Sequence, residues 1–219
     1  CKSDTNNWII DTIFIGGGTP SLMVPKTLAE IINFIKDSWP VSAKLEVTLG
    51  ANPSSAESRT LETFRSAGVN RLSLGVQSLE DESLIFLGRQ HSAAEAMEVV
   101  KIVAQTFERY SLDFIYARPN QTVAGWSEEL ERALELAGDH ISVYQLTIEP
   151  GTQFQKERVA PADEVLSVKL YEITQEILSE AGLLPYEISN HARPGQECSQ
   201  NLIYWQGEDY VGLGPGAHG

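Results

Sequence analysis

Five short apolar segments rich in β-branched residues recur along the chain: Thr12 to Ile15, Leu45 to Leu49, Arg71 to Val76, Leu112 to Tyr116 and Ile141 to Ile148. Each is followed by loop residues and then by apolar positions at helical spacing, which is the βα alternation of a parallel sheet. Pro25 opens the first predicted helix, and Leu28, Ile31, Ile32 and Ile35 fall on one face of it. Ser54 and Glu57 form a capping-box pair for a second helix that buries Leu61 and Phe64 and stops at Gly68. Ser92 with Glu95 repeats that start signal ahead of Ala96, Val99, Val100 and Val103. A fourth helix is predicted from about Trp126 through Leu130, Ala133 and Leu134 to Gly138, and a fifth from about Asp163 through Leu166, Leu170, Ile173 and Ile177 to Gly182. The repetition is architectural, since no sequence self-similarity of solenoid type accompanies it.

An open doubly wound sheet and an incomplete βα barrel both fit this alternation, and in both the ligands sit at the C-terminal strand ends. The loops there are rich in polar and small residues: Gly16-Gly17-Gly18-Thr19, Ala51-Asn52-Pro53, Gln77-Ser78, Tyr116-Ala117-Arg118-Pro119 and Glu149-Pro150-Gly151-Thr152. Three consecutive glycines and a hydroxyl before a helix let backbone amides approach a ligand with no side chain in the way, or make a tight turn with no ligand. Asp113 stands inside an apolar run, so its carboxylate is either a ligand-binding group near water or a buried cap for loop N–H groups.

Composition narrows the partners. The 219 residues suffice for one domain with one core, and 42% hydrophobic with 21% charged residues is ordinary for a globular chain. A formal net charge of -14, with Lys plus Arg at 16, argues against nucleic acid or an anionic membrane and for a small molecule or a protein. No apolar run approaches the roughly 18 residues of a membrane span and no signal peptide opens the chain, so a soluble, cytoplasmic protein is expected. Cys1 and Cys198 make neither a disulfide framework nor a zinc set. A start at Cys1 and an end inside Gly212-Leu-Gly-Pro-Gly-Ala-His-Gly219 suggest a fragment cut at both ends. The histidines are His91, His140, His191 and His218, with no pair at metal-ligand spacing on one helix. Tyr204 and Trp205 are candidates for one wall of a flat apolar site or for core packing, and Tyr144 and Glu149 flank the fifth strand without an evident acid-base partner.

Read in order, IFIGGGTPS, the ANP after the second strand, AGVNRLSLGVQS, LGRQH, LDFIYARPNQT, YQLTIEPGT, YEISNHARPG and YWQGEDYVGLGPGAHG resemble the radical S-adenosylmethionine (SAM) proteins of tetrapyrrole metabolism. Among these the chain is most similar to the HemW-type heme chaperones, an oxygen-independent coproporphyrinogen III oxidase-like family, from about Thr12 to Gly219. The resemblance implies an α/β fold, a partial (β/α)6 TIM-type barrel truncated at both ends. Residues 1–219 would then be one core barrel fragment, without the cluster loop upstream or the C-terminal domain. It implies S-adenosyl-L-methionine across the strand ends, contacted by Gly17, Gly18, Thr19, Gln77, Arg89 and Asp113. It further implies a [4Fe-4S] cluster on a Cys-x3-Cys-x2-Cys loop that only the full-length protein would carry, so no metal ligand is expected in this chain. Heme is the implied cargo, with His91, His191, Cys198 and His218 as candidate ligands, and delivery to a heme-acceptor protein is the implied function. Oxygen-independent coproporphyrinogen III oxidase (dehydrogenase) activity is the alternative, and a homodimer is a further expectation. The family pattern has Glu before Ala-Asn-Pro where this chain has Gly50, and His before Asn-x-x-Tyr-Trp where it has Gln200.

Overall fold

In the computed structural model, which describes residues 8–54, 58–214 and 217, the apolar segments assemble into one curled, seven-stranded half-barrel sheet. The strands are β1 (Ile10–Ile15), β2 (Val41–Ala51), β3 (Arg71–Gln77), β4 (Arg109–Tyr116), β5 (His140–Gln145), β6 (Leu184–Pro185) and β7 (Asn190–Ala192). Their order is β1-β2-β3-β4-β5-β7-β6. The first five are parallel, and β7 runs antiparallel to both β5 and β6. The helices are α1 (Pro25–Ser38), α2 (Leu61–Ser66), α3 (Asp81–Phe86), α4 (Ala93–Thr106), α5 (Val123–Leu136), α6 (Gln153–Lys156), α7 (Glu164–Glu180) and α8 (Ser199–Gln206).

The two faces of the sheet differ in chemistry. Val47, Leu49, Leu72, Leu74, Val76, Leu112, Phe114, Ile141 and Val143 are buried with Leu28, Ile32, Phe64, Val103, Trp126, Leu130 and Leu170 in one core. The alternate positions, with side chains on the inner face of the curl, are polar: Glu46, Thr48, Arg71, Ser73, Ser111, Asp113, His140 and Ser142. Register aligns them in rows, with Thr48 opposite Arg71, Ser73 opposite Ser111, and Asp113 opposite Ser142. Apolar area on the outer face drives the helices onto the sheet, while the inner face is held by hydrogen bonds and charge pairs.

Most predicted elements are present, with shifted ends. The Ser92 capping box forms both of its bonds, and Asp163 caps α7 by accepting from the Leu166 amide at 2.9 Å. Glu57 lies outside the described residues, and α2 is described from Leu61, with Gly68 at φ +110 beyond its end. The fifth strand ends at Gln145 rather than Ile148, where the Leu146 amide donates to the Tyr116 carbonyl and the chain turns out of the sheet. Trp126, fully buried, donates from Nε1 to Thr174 Oγ1 at 2.7 Å and so fixes α5 against α7. Strands β6 and β7 were not legible, because two and three residues carry no readable period.

Candidate functional site

Parallel strands bring their following loops to one end of the sheet. After β1, Gly17 and Gly18 take φ +81 and +36, and no heavy atom lies within 4 Å of where a Cβ would stand on either. A ligand can therefore approach the backbone of this turn, with Thr19 next in the chain, without meeting a side chain of either glycine. Gln77 closes β3 with φ +70, a conformation that costs about 1 kcal/mol for a residue with a side chain. Its side chain folds back over Gly75, where a Cβ would meet Gln77 Nε2 at 2.7 Å and Asn52 Oδ1 at 3.8 Å. Arg89 follows α3 beyond Gly88, and the His91 ring ties that loop to the C-terminal end of β3 through Nε2 and the Val76 carbonyl, 3.2 Å apart. The Arg89 Nε is buried with no hydrogen-bond partner among the described residues, and burial lowers its pKa. An unmet donor on a half-buried cation is suited to an anionic ligand group.

Asp113 lies on the inner face of β4. Its Oδ2 accepts from Ser73 Oγ at 2.6 Å and its Oδ1 from Ser111 Oγ at 3.0 Å. Burial pushes its pKa up, against the opposing pull of Ser73, Ser142, Ser111 and the Arg71 cation. Tyr144, two positions beyond Ser142 on the same face of β5, is raised to about 12 by burial and by the Asp113 charge. Glu149 is exposed in the loop after β5, where its carbonyl accepts from Thr152 Oγ1. Thus Gly17, Gly18, Thr19, Gln77 and Arg89 share the C-terminal end of the sheet, and Asp113 faces the interior beneath them. Gly50 faces the same interior, and a Cβ there would meet its nearest neighbour, the Ile15 carbonyl oxygen, at an ordinary 3.7 Å.

Two buried charge networks went unrecognised in the sequence. Near the N-terminal strand ends, Glu46 pairs with Arg109 at 2.5 Å, accepts from the Ser199 amide at 2.9 Å and lies 3.6 Å from Cys198 Sγ. On the loop side, Glu129 accepts from Arg118 and from the Leu79 amide at 2.8 Å, and Ser78 Oγ donates to Glu129 at 2.5 Å. Charged residues at alternate positions of apolar strands, such as Glu46 and Arg71, were the available signal for the first.

The heme candidates lie apart. His91 is buried in the loop before α4. His191 stands opposite Ile141 in register, hence on the apolar outer face, with both ring nitrogens unpartnered among the described residues and its pKa lowered to about 4 by burial. Cys198 is buried beside Glu46 at the other end of the barrel from the glycine turn, and burial raises its pKa. His218 lies outside the described residues. On α8, Gln200 is buried, Trp205 is exposed, and Tyr204 meets Tyr210 edge to face with centroids 4.7 Å apart. Among the described residues no group of three His, Cys, Asp or Glu side chains is arranged to hold a metal. No helix among them is long and apolar enough to cross a membrane.

Comparison with known proteins follows the same lines. The model of the Radical SAM superfamily matches residues 3–143. The chain is 42% identical over 215 residues to the cattle (Bos taurus) radical S-adenosyl methionine domain-containing protein 1, mitochondrial, covering 96% of this chain and 49% of that protein. It is 40% identical over 212 residues to the heme chaperone HemW of Escherichia coli, covering 96% of this chain and 56% of the relative. The chain therefore spans about half the length of the curated relatives it matches. Among solved structures, coproporphyrinogen III oxidase (HemN) from Escherichia coli superposes with a TM-score of 0.74 at 21% identity, over 90% of this chain and 46% of that one, which is a likeness of fold.

Proposed function

The chain belongs to the radical SAM superfamily, and from that membership we propose that it is the cofactor-binding barrel of a heme chaperone, one that holds S-adenosylmethionine at its C-terminal strand ends and delivers heme to an acceptor protein. What supports the cofactor half is an unmet guanidinium donor on Arg89, in the loop after α3, and a carboxylate acceptor on Asp113, on the inner face of β4. A methionine carboxylate matches the first and ribose hydroxyls match the second. The amides of Gly17 and Gly18, free of side chains, would line the methionine part, with Thr19 and Gln77 completing the wall. In this superfamily the bound cofactor, with a reduced iron-sulfur cluster, supplies radical chemistry.

The cluster itself does not fit this chain. Two cysteines are present; Cys1 lies outside the described residues and Cys198 is buried at the far end of the barrel. The residues here do binding and orientation. The heme half is supported by the 40% identity to HemW over almost the whole chain. Residues 1–219 are read accordingly as a core barrel portion, with the acceptor protein and any homodimer belonging to the whole protein.

Calorimetric titration with S-adenosylmethionine tests the cofactor half. Saturable one-to-one binding, weakened about tenfold or more in Asp113→Asn and in Arg89→Leu, is expected, since a hydrogen bond to a charged group is worth about 1.5–3 kcal/mol. Equal affinity in all three proteins would overturn the assignment of these residues. Hemin titration followed at the Soret band tests the cargo, and the absence of a saturable shift in a longer chain of the relatives' length would remove the chaperone reading.

A further inference from the structure

One chain of hydrogen bonds crosses the barrel interior from helix α8 to Asp113. The Cys198 amide and Asn201 Nδ2 approach the Tyr186 hydroxyl at 3.3 and 3.1 Å. That hydroxyl lies 2.7 Å from His140 Nε2, and His140 Nδ1 lies 2.9 Å from Ser111 Oγ. Ser111 Oγ is in turn 3.0 Å from Asp113 Oδ1.

Counting hydrogens gives this chain a direction. The Tyr186 oxygen receives two N–H donors, so its single O–H is free to point at His140. With the Tyr186 hydrogen on Nε2, a neutral His140 ring carries its own proton on Nδ1 and cannot accept from Ser111; Ser142 donates to Asn190 Oδ1 at 2.7 Å, so the Ser111 hydrogen has Asp113 Oδ1 and Ser142 Oγ as acceptors, and a carboxylate is the stronger. With its own hydrogen aimed at Asp113, Ser111 must accept from His140, which places the imidazole proton on Nδ1 and leaves Nε2 to accept from Tyr186. Burial and the Arg71, Arg109 and His191 charges keep this ring well below the ordinary histidine pKa, so a single ring proton is available.

Resting on the cofactor reading above, we infer that His140, held as the neutral Nδ1–H tautomer by Tyr186, is a positioning residue that aims Ser111 at Asp113 and keeps that inner-face carboxylate an acceptor for the cofactor's hydroxyls. Helix α8 is thereby wired to the cofactor end of the barrel through Tyr186, His140, Ser111 and Asp113. Loosening of α8 frees Tyr186, lets the ring change tautomer and turns the Ser111 hydrogen away from Asp113.

Nitrogen-15 NMR of the ring nitrogens in the 219-residue chain reads the tautomer directly. The expected result is protonated Nδ1 and bare Nε2 in the parent protein at pH 7, with the Nε2–H form gaining at least a third of the population in Tyr186→Phe. S-adenosylmethionine affinity by calorimetry should fall three- to tenfold in Tyr186→Phe and in His140→Leu, and recover in His140→Asn, whose side-chain N–H replaces the Nδ1 donor. An Nε2–H tautomer in the parent protein would overturn the inference, as would an unchanged tautomer in Tyr186→Phe. If no variant binds S-adenosylmethionine, the cofactor reading fails, and the tautomer still decides the direction of the chain of bonds. Should His140→Leu unfold, the Tyr186→Phe comparison stands alone.

Discussion

Gly50 and His191 are single positions whose surroundings set opposite expectations. At Gly50 the interior has room for a side chain, with the nearest atoms to a Cβ being the Ile15 carbonyl oxygen at 3.7 Å and Pro20 Cγ at 3.8 Å. Gly50→Glu should therefore fold and add a carboxylate to the interior beside Ser73, its partner in register. A gain of about 1.5 kcal/mol for one charge-assisted bond means roughly tenfold tighter S-adenosylmethionine binding by calorimetry; weaker binding than the parent would show that the carboxylate has no place there. His191 instead carries an unmet demand. Its ring resists protonation down to about 4 in the folded state, whereas an unfolded histidine takes a proton near 6.5. The unfolded chain thus binds the extra proton between those values, and stability falls as pH drops through 6.5 towards 4. The loss is about 1–2 kcal/mol at pH 5. His140 is lowered by burial and contributes with the same sign. Urea unfolding at pH 7, 6 and 5 should show a shallower decline in His191→Leu than in the parent protein; parallel declines would count against the buried ring as the cause.

Helices and loops are joined by the Arg118–Glu129 pair, 5% and 2% exposed, which ties the start of the β4–α5 loop to α5 and, through Ser78 and the Leu79 amide, to the loop after β3. Glu129→Ala leaves a buried guanidinium with only Ser78 as partner among the described residues and should cost about 3–5 kcal/mol in chemical denaturation. Replacing both partners, as Arg118→Met with Glu129→Leu, should recover most of that loss; if the double variant is as unstable as the single one, the pair is not the source. This pair also shows what the sequence could disclose. Period and caps located the five βα units, because apolar stripes and Ser/Asp caps are local signals. Glycines and the loop motifs located the C-terminal rim for the same reason. Glu129 sits in an otherwise ordinary amphipathic helix and Arg118 in a loop, and nothing local distinguishes them from solvated charges. Their meeting is set by the packing of α5 under the β3 and β4 loops, which is a property of the tertiary structure. The same holds for His191: β7 pairs with β5 and turns its ring to the outer face, and a three-residue antiparallel strand gives no period from which that face could be known.

Closure of the N-terminal end of the barrel depends on a contact 153 residues apart in sequence, the Glu46 carboxylate on the Ser199 amide. Glu46 comes from β2, and its second oxygen pairs with Arg109 of β4, so one buried side chain joins two strands to the first turn of α8. A carboxylate at a helix N-terminus also meets the positive end of the helix dipole. Sheet formation does not require this contact, since β1 through β5 pair through their own backbones and bury the outer-face core. Glu46→Ala should therefore act unevenly, lowering global stability by about 2–3 kcal/mol through the stranded Ser199 amide and Arg109. Amide exchange over Ser199–Gln206 should rise more than exchange in β3 and β4. Trp205, already exposed on α8, reports little, whereas the His140 ring signals should broaden, because Asn201 of α8 and its N-cap residue Cys198 supply the two N–H donors to Tyr186. Uniform acceleration across strands and helix alike would mean that α8 and the sheet unfold as one unit, and that Glu46 is part of the core's cooperativity rather than a separable latch between the two ends of the barrel.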